Sequence, residues 1–244
     1  MRLNLAALLA SASMMTLPAQ AEMTDAERQA FRGEVRAYLL ENPEVIIEAM
    51  DGLQAREQQD AAAQDRRMLA DQHDAIFNDP ASWSGGNPQG DIAIVEFVDY
   101  RCGYCRKANA EVEELVRSDG NIRLVLKEFP ILGEASLISS RFAIAVRQLH
   151  GDAAYKQVHD ALITLRGEPD DMTLSRLAVD LGLDATAIMA RMPSDEVTDV
   201  IRANHTLADI MEISGTPTFV IDGTMVRGYV PLDAMRKIVA DERG

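Results

Sequence analysis

Cys102 and Cys105 are the only cysteines among 244 residues, and two residues separate them. A disulfide between them would close a ring worth only about 2 kcal/mol of chain entropy, against about 3 for a fifteen-residue loop. The pair is therefore a poor staple and a better catalyst. A zinc site needs about four ligands, and His73, His150, His159 and His205 are scattered without ligand spacing. No metal and no cofactor is expected. A redox couple needs a thiolate, and a thiolate needs nearby positive potential. The free N–H groups and dipole at a helix N-terminus supply it, and can hold a Cys-x-x-Cys thiol at a pKa of about 3.5 to 7.

The flanking residues predict such a helix start. Ile92 to Val98 is a β-branched and aromatic run broken only by Glu96, the pattern of a buried strand. From Gly103 the period becomes helical, with Ala108, Val112, Leu115 and Val116 three and four residues apart. Arg101, Arg106 and Lys107 add positive charge beside the pair, although Arg106 and Lys107 also read as solvated surface charges. After the turn Asp119-Gly120-Asn121, Ile122 to Leu126 predicts a second strand, parallel to the first because a helix joins them.

The N-terminus reads as a targeting segment. Met1-Arg2, an apolar run from Leu3 to Leu17 and Pro18-Ala19-Gln20-Ala21 predict a signal peptide over residues 1–21, cleaved after Ala21. The apolar core is too short for a membrane anchor, so a periplasmic or extracellular protein is expected, in a compartment where a disulfide survives. The net charge of −15 excludes nucleic acid and anionic membranes as natural partners.

Residues 22–80 read as a separate helical segment. Phe31, Val35, Tyr38 and Leu39 form one apolar stripe, and Asn42-Pro43 is expected to cap a second helix carrying Val45, Ile46, Met50 and Leu53. Two short amphipathic helices cannot bury much alone. Their faces could pack on the main domain or on another copy; the polar run from Gln54 to Arg67, an exposed spacer, favours self-association through residues 22–70 as a trimer or dimer. Trp83 to Gly90 reads as a turn-rich approach to the first strand.

Beyond the second strand the sheet pattern stops. Leu137 to Leu149 and Tyr155 to Leu165 read as helices, Thr173 as the cap of a third, Asp184 and Ser194 as caps of two more, and Val197 to Met211 as the last. His150 and His159 in this stretch read as ordinary surface or core histidines. Thr218–Ile221, the turn Asp222-Gly223, the return strand Met225–Arg227 and a helix from Pro231 to Val239 then complete a sheet covered on both faces.

Glu96-Phe97-x-Asp99-Tyr100-x-Cys102-x-x-Cys105, followed about 110 residues later by Gly215-Thr216-Pro217-Thr218-Phe219-Val220, resembles the DsbA-like branch of the thioredoxin superfamily. The resemblance covers residues 81–244. It implies an α/β architecture: a thioredoxin fold with a helical domain inserted at about 134–212, preceded by the N-terminal helical oligomerisation segment. It also implies that Cys102 is the attacking thiol, Cys105 the resolving thiol able to close a Cys102–Cys105 disulfide, and Pro217 the cis-proline facing them. Glu96 matches the family's buried acid, relaying a proton for Cys105, and pairing with Lys127 on the neighbouring strand is compatible with that role. Thr216, Gly103 and Tyr104 would meet substrate.

Cys-Gly-Tyr-Cys with threonine before the proline is similar to DsbC-type isomerases, whereas DsbA-type oxidases usually carry valine there. Tyr38-Leu39-Leu40-Glu41-Asn42-Pro43-Glu44-Val45 resembles the oligomerising region of ScsC-like proteins, whose members include trimeric isomerases that also affect copper resistance. The resemblance thus implies a periplasmic thiol–disulfide oxidoreductase, mainly a protein disulfide isomerase, acting on unfolded or misfolded secreted proteins. Its membrane redox partner would be a DsbD-like reductase or a DsbB-like oxidase. The alternatives are a DsbA-type dithiol oxidase and a copper-binding or chaperone-like thiol protein.

Overall fold

The computed structural model describes residues 23–244, so the expected signal segment lies outside the described residues. The chain divides into two compact units, with the division after Glu57.

In the first unit, α1 (Asp25–Glu41) starts at a capping box: Thr24 Oγ1 accepts from Glu27 N and Glu27 Oε2 accepts from Thr24 N at 2.8 Å. The expected cap of the second helix instead ends the first. Asn42 Nδ2 and its backbone N both donate to Tyr38 O, and α2 (Glu44–Asp71) begins two residues later. No residue of α1 is buried. Phe31, Val35, Leu39, Leu40 and Ile46 line an open apolar groove of about 370 Å³.

The second unit begins well before residue 81. Leu69 at the end of α2, with Ile76 and Phe77 of α3 (His73–Phe77), is buried against Val95, Phe97 and Phe129. The polar run expected to be an exposed spacer also makes contacts here. Asp65 takes a bidentate ion pair from Arg227 at 2.8 Å, and Gln64 donates to Glu212 at 3.3 Å.

The sheet orders its strands β1-β3-β2-β4-β5. These are β1 (Trp83–Gly86), β2 (Ile92–Val98), β3 (Ile122–Glu128), β4 (Thr218–Ile221) and β5 (Thr224–Arg227). β2 and β3 run parallel across α4 (Gly103–Asp119), as the sequence predicts; the other pairings are antiparallel. β1 is an addition, since its Trp-Ser-Gly-Gly composition reads as a turn. Its glycines serve close approach: a Cβ on Gly86 would stand 2.4 Å from Ile122 O.

The insertion comprises α5 (Glu134–Thr164), α6 (Asp171–Asp180), α7 (Ala185–Arg191) and α8 (Asp195–Ile210). α5 is the expected pair of helices joined at Gly151, whose φ of 81° breaks the axis. Asp170, not Thr173, caps α6, accepting from Thr173 N at 2.8 Å. α9 (Leu232–Arg243) closes the fold.

Strand alternation splits the core into two faces. Ile92, Ile94 and Val98 pack with α4 and α5, while Val95 and Phe97 pack with α3 and α8. Register places Phe97 beside Lys127 and Glu96 beside Leu126, so Lys127 and Glu96 point to opposite faces. The expected Glu96–Lys127 pair is therefore absent. Lys127, 1% exposed, reaches Asp79 Oδ2 at 2.9 Å and Ser82 Oγ at 3.0 Å. Asp79→Asn strands that ammonium in the apolar layer and should cost about 3–5 kcal/mol in urea unfolding. Lys127→Met leaves a carboxylate that water can reach and should cost clearly less; equal losses would refute this account.

Candidate active site

Cys102 sits where the strand's end becomes a helix. Its backbone N donates to Asp99 O at 3.1 Å, closing a tight turn, and it occupies the N-cap position of α4 with φ −73° and ψ 119°. No side-chain hydrogen bond caps this helix, so its first-turn N–H groups are left free at the end where Cys102 sits, the positive end of the helix dipole. Cys105 lies on that first turn, fully buried. Neither sulfur is bridged.

Three loops meet at Cys102. Its Sγ donates to Thr216 O at 3.1 Å. The Thr216–Pro217 bond is cis, and Pro217 O accepts from Gly228 N at 2.9 Å, which ties the loop to the end of β5. On the other side Arg101 Nη1 donates to Gly167 O at 2.7 Å and pairs with Glu168, while Arg106 Nε donates to Tyr100 O at 3.0 Å. These two arginines thus brace backbone carbonyls. Lys107 Nζ lies 4.2 Å from the centre of the Tyr229 ring.

Glu96, 3% exposed, lies on the face that Cys105 covers. Burial pushes its carboxyl up to about 8. The Cys105 thiol is also pushed up, first by burial and then by the charge of Glu96. The two groups therefore compete for protons across a water-poor layer.

Gly103 is exposed with open space around it. Tyr104 is 62% exposed and stacks on Tyr229 with ring centres 6.0 Å apart; the Tyr229 hydroxyl donates to Glu111 at 2.8 Å. The structure thus brings Cys102, Cys105, Glu96, Thr216, Pro217, Gly103 and Tyr104 into one region, and adds Tyr229, which no sequence pattern marked.

A second buried acid stands at the end of β3. Glu128 Oε1 accepts from Tyr100 at 2.7 Å and Tyr155 at 2.6 Å, and Oε2 accepts from Ser140 at 2.7 Å. Tyr100 Oη also lies 3.2 Å from His159 Nδ1, and His159 Nε2 lies 3.1 Å from Asn109 Oδ1. Burial pushes His159 down to about 3, so its imidazole is neutral. An acid in an apolar strand, interrupting β2 at Glu96 and ending β3 at Glu128, is the sequence signal that marks both. Among the described residues no group of three or more His, Cys, Asp and Glu is arranged to hold a metal ion.

The model for DSBA-like thioredoxin domains matches residues 93–240, and that for the copper resistance protein ScsC N-terminal domain matches residues 27–60. The chain is 40% identical to a thioredoxin-like oxidoreductase from Silicibacter pomeroyi DSS-3, with 70% of this chain and 96% of that one covered and a TM-score of 0.65. It is 26% identical to Proteus mirabilis ScsC in a transitional conformation, with 90% and 96% covered and a TM-score of 0.65. Among curated relatives, it is 27% identical over 154 residues to Na(+)/H(+) antiporter NhaA 3 of Salinispora tropica, covering 63% of this chain and 24% of that protein. The chain thus spans about a quarter of the length of the antiporter relatives it matches, and 83% of that of a probable disulfide bond formation protein D from Bacillus anthracis, to which it is 18% identical.

Proposed function

The chain belongs to the family of DSBA-like thioredoxin domains, and from that premise we propose that it is a periplasmic thiol–disulfide oxidoreductase working mainly as a protein disulfide isomerase. The observation that carries the redox chemistry is the placement of Cys102: at an uncapped helix N-terminus, 3.1 Å from Thr216 O, with Cys105 buried one turn on above Glu96.

The Cys102 thiolate attacks one sulfur of a substrate disulfide, forming a mixed disulfide and releasing the other sulfur as a thiolate. A second substrate thiolate can then attack the mixed disulfide. That forms a new substrate disulfide, frees Cys102 and transfers no net electrons. Alternatively Cys105 gives its proton to ionised Glu96 and attacks Cys102, which oxidises the pair and reduces the substrate. Burial makes Cys105 slow to ionise, which lengthens the life of the mixed disulfide and favours rearrangement. Thr216, Pro217, Gly103 and Tyr104 form the surface met by an extended substrate.

The isomerase reading is supported by the uncovered apolar stripe of residues 23–57 and by its match to the ScsC N-terminal domain. Phe31, Tyr38, Ile47 and Met50 remain more than half exposed, so the occupant proposed for this face is a second or third copy of the same segment. Several sites facing one cavity would raise the effective thiol concentration around a misfolded chain. Substrates would be misfolded secreted proteins, and a DsbD-like membrane reductase would keep the pair reduced.

Removing residues 23–57 tests this reading. The cut stops short of 70 because Leu69 belongs to the second unit's core. Refolding of a scrambled multi-disulfide protein should fall by about tenfold or more, while oxidation of a simple dithiol peptide stays unchanged. Full retention of reshuffling would point to a monomeric dithiol oxidase instead.

A further inference from the structure

The turn Asp99–Cys102 presents the attacking sulfur, and almost nothing in it hangs free. Asp99 is fully buried. Its Oδ1 accepts from Arg101 N and from Ser136 Oγ, and its Oδ2 accepts from Ile131 N and Leu132 N. Tyr100 is anchored through its hydroxyl to Glu128 at the end of β3. Glu128 in turn gathers Tyr155 and Ser140 of α5, so one carboxyl joins the turn, the sheet and the helical insertion.

The three hydroxyls differ in their options. Ser140 donates to Glu128 Oε2 alone, whereas Tyr100 and Tyr155 share Oε1 and are within hydrogen-bonding reach of each other, and Tyr100 has a further polar neighbour, His159, within 3.2 Å. If Glu128 cannot accept from Tyr100, that hydroxyl can turn to the imidazole and the turn can shift without an orphaned group. Glu128 is thus what selects one position of Tyr100, and hence of the two residues that lead into Cys102.

We propose that Glu128 is a positioning residue for Cys102: through Tyr100 it fixes how the sulfur sits over the α4 N–H groups and against Thr216 O, and so sets the balance between dithiol and disulfide. This inference rests on the redox reading of the Cys102–Cys105 pair. Its sign separates it from a simple charge effect. Loosening the turn withdraws helix-terminus stabilisation from the reduced form, so the pair becomes easier to oxidise. Removing a negative charge without moving the turn would favour the thiolate and shift the balance the other way.

The test is the equilibrium of the full-length protein with glutathione, in which protein disulfide and two glutathiones give protein dithiol and one glutathione disulfide. Glu128→Leu, which leaves Tyr100 no acceptor on this strand, should move this equilibrium toward the protein disulfide by about tenfold, and Tyr100→Phe should move it the same way by about threefold. Ser140→Ala removes a donor that reaches only Glu128 Oε2, away from Tyr100; it should lower the melting temperature yet leave the equilibrium within twofold of wild type. Should Glu128→Leu fail to fold, Tyr100→Phe against Ser140→Ala decides alone. No shift, a shift toward the dithiol, or an equal shift in Ser140→Ala overturns the proposal. A wild-type pair that does not equilibrate with glutathione at all overturns the redox reading itself, and this inference with it.

Discussion

Cys102→Ser is expected to remove disulfide exchange altogether, with reshuffling and thiol-transfer rates falling by at least about a thousandfold, the scale of losing a nucleophile that works as a unit with its surroundings. A serine hydroxyl keeps the size and the hydrogen bond to Thr216 O but is not ionised at neutral pH and does not attack sulfur. Cys105→Ser has the opposite signature. The attack still proceeds, yet the internal route of release is gone, so substrates remain linked to Cys102 and appear as slow bands on non-reducing gels of a cell extract. The adducts should vanish in Cys102→Ser/Cys105→Ser. Their absence from the single Cys105 variant would favour a copper-binding or chaperone-like thiol protein.

Glu96→Gln should flatten two pH profiles at once. The folded protein raises the Glu96 carboxyl to about 8 because burial penalises the charge. Between about pH 4.5 and 8 the folded state therefore binds a proton that the unfolded state has released, and stability must fall as pH rises through this window. The loss can reach ~5 kcal/mol by pH 9. Glutamine keeps the neutral shape and cannot lose a proton, so urea unfolding of the reduced variant should lose this part of the decline and keep only the smaller part owed to Glu128, whose buried carboxyl is raised to about 7. The second profile is the release of a mixed disulfide by Cys105. In the wild type its rate should climb about tenfold per pH unit below 8 as ionised Glu96 becomes available to take the thiol proton, and the variant should lose that rise. Parallel curves for the two proteins in both assays would rule out Glu96 as the proton acceptor.

The elements that hold the thiols were legible because their patterns are local. A β-branched run, a change of period at Gly103 and the turn at Gly120 locate β2, α4 and β3 without tertiary knowledge. The helices of the insertion follow from their apolar spacing. What failed was decided at a distance. β1 hides because Gly86 answers to the backbone of β3 and Gly85 to the Trp83 ring. Lys127 lies near Glu96 in the sheet, and only side-chain alternation shows that it faces away. The end of α2 and the short α3 read as linker because only a few apolar residues, Leu69, Ile76 and Phe77, commit them to the core. For the site, the resemblance supplied Cys102, Cys105, Glu96, Thr216 and Pro217 as one set. Tyr229 and the acceptors of Arg101 and Arg106 are loop contacts, which carry no period to read.

The placement of Lys127 has a further meaning. The sheet is one residue thick, and it acts as an insulating partition: the cation is buried against Asp79 on one side, and the thiols share the other with an acid that has no counter-ion among the described residues. Had β3 slipped by a single residue, Lys127 would have crossed the partition and held Glu96 permanently ionised. Cys105 would then sit over a fixed negative charge that could no longer accept its proton at neutral pH. The chemistry on one side of the sheet thus depends on a parity, odd or even, in the strand beside it.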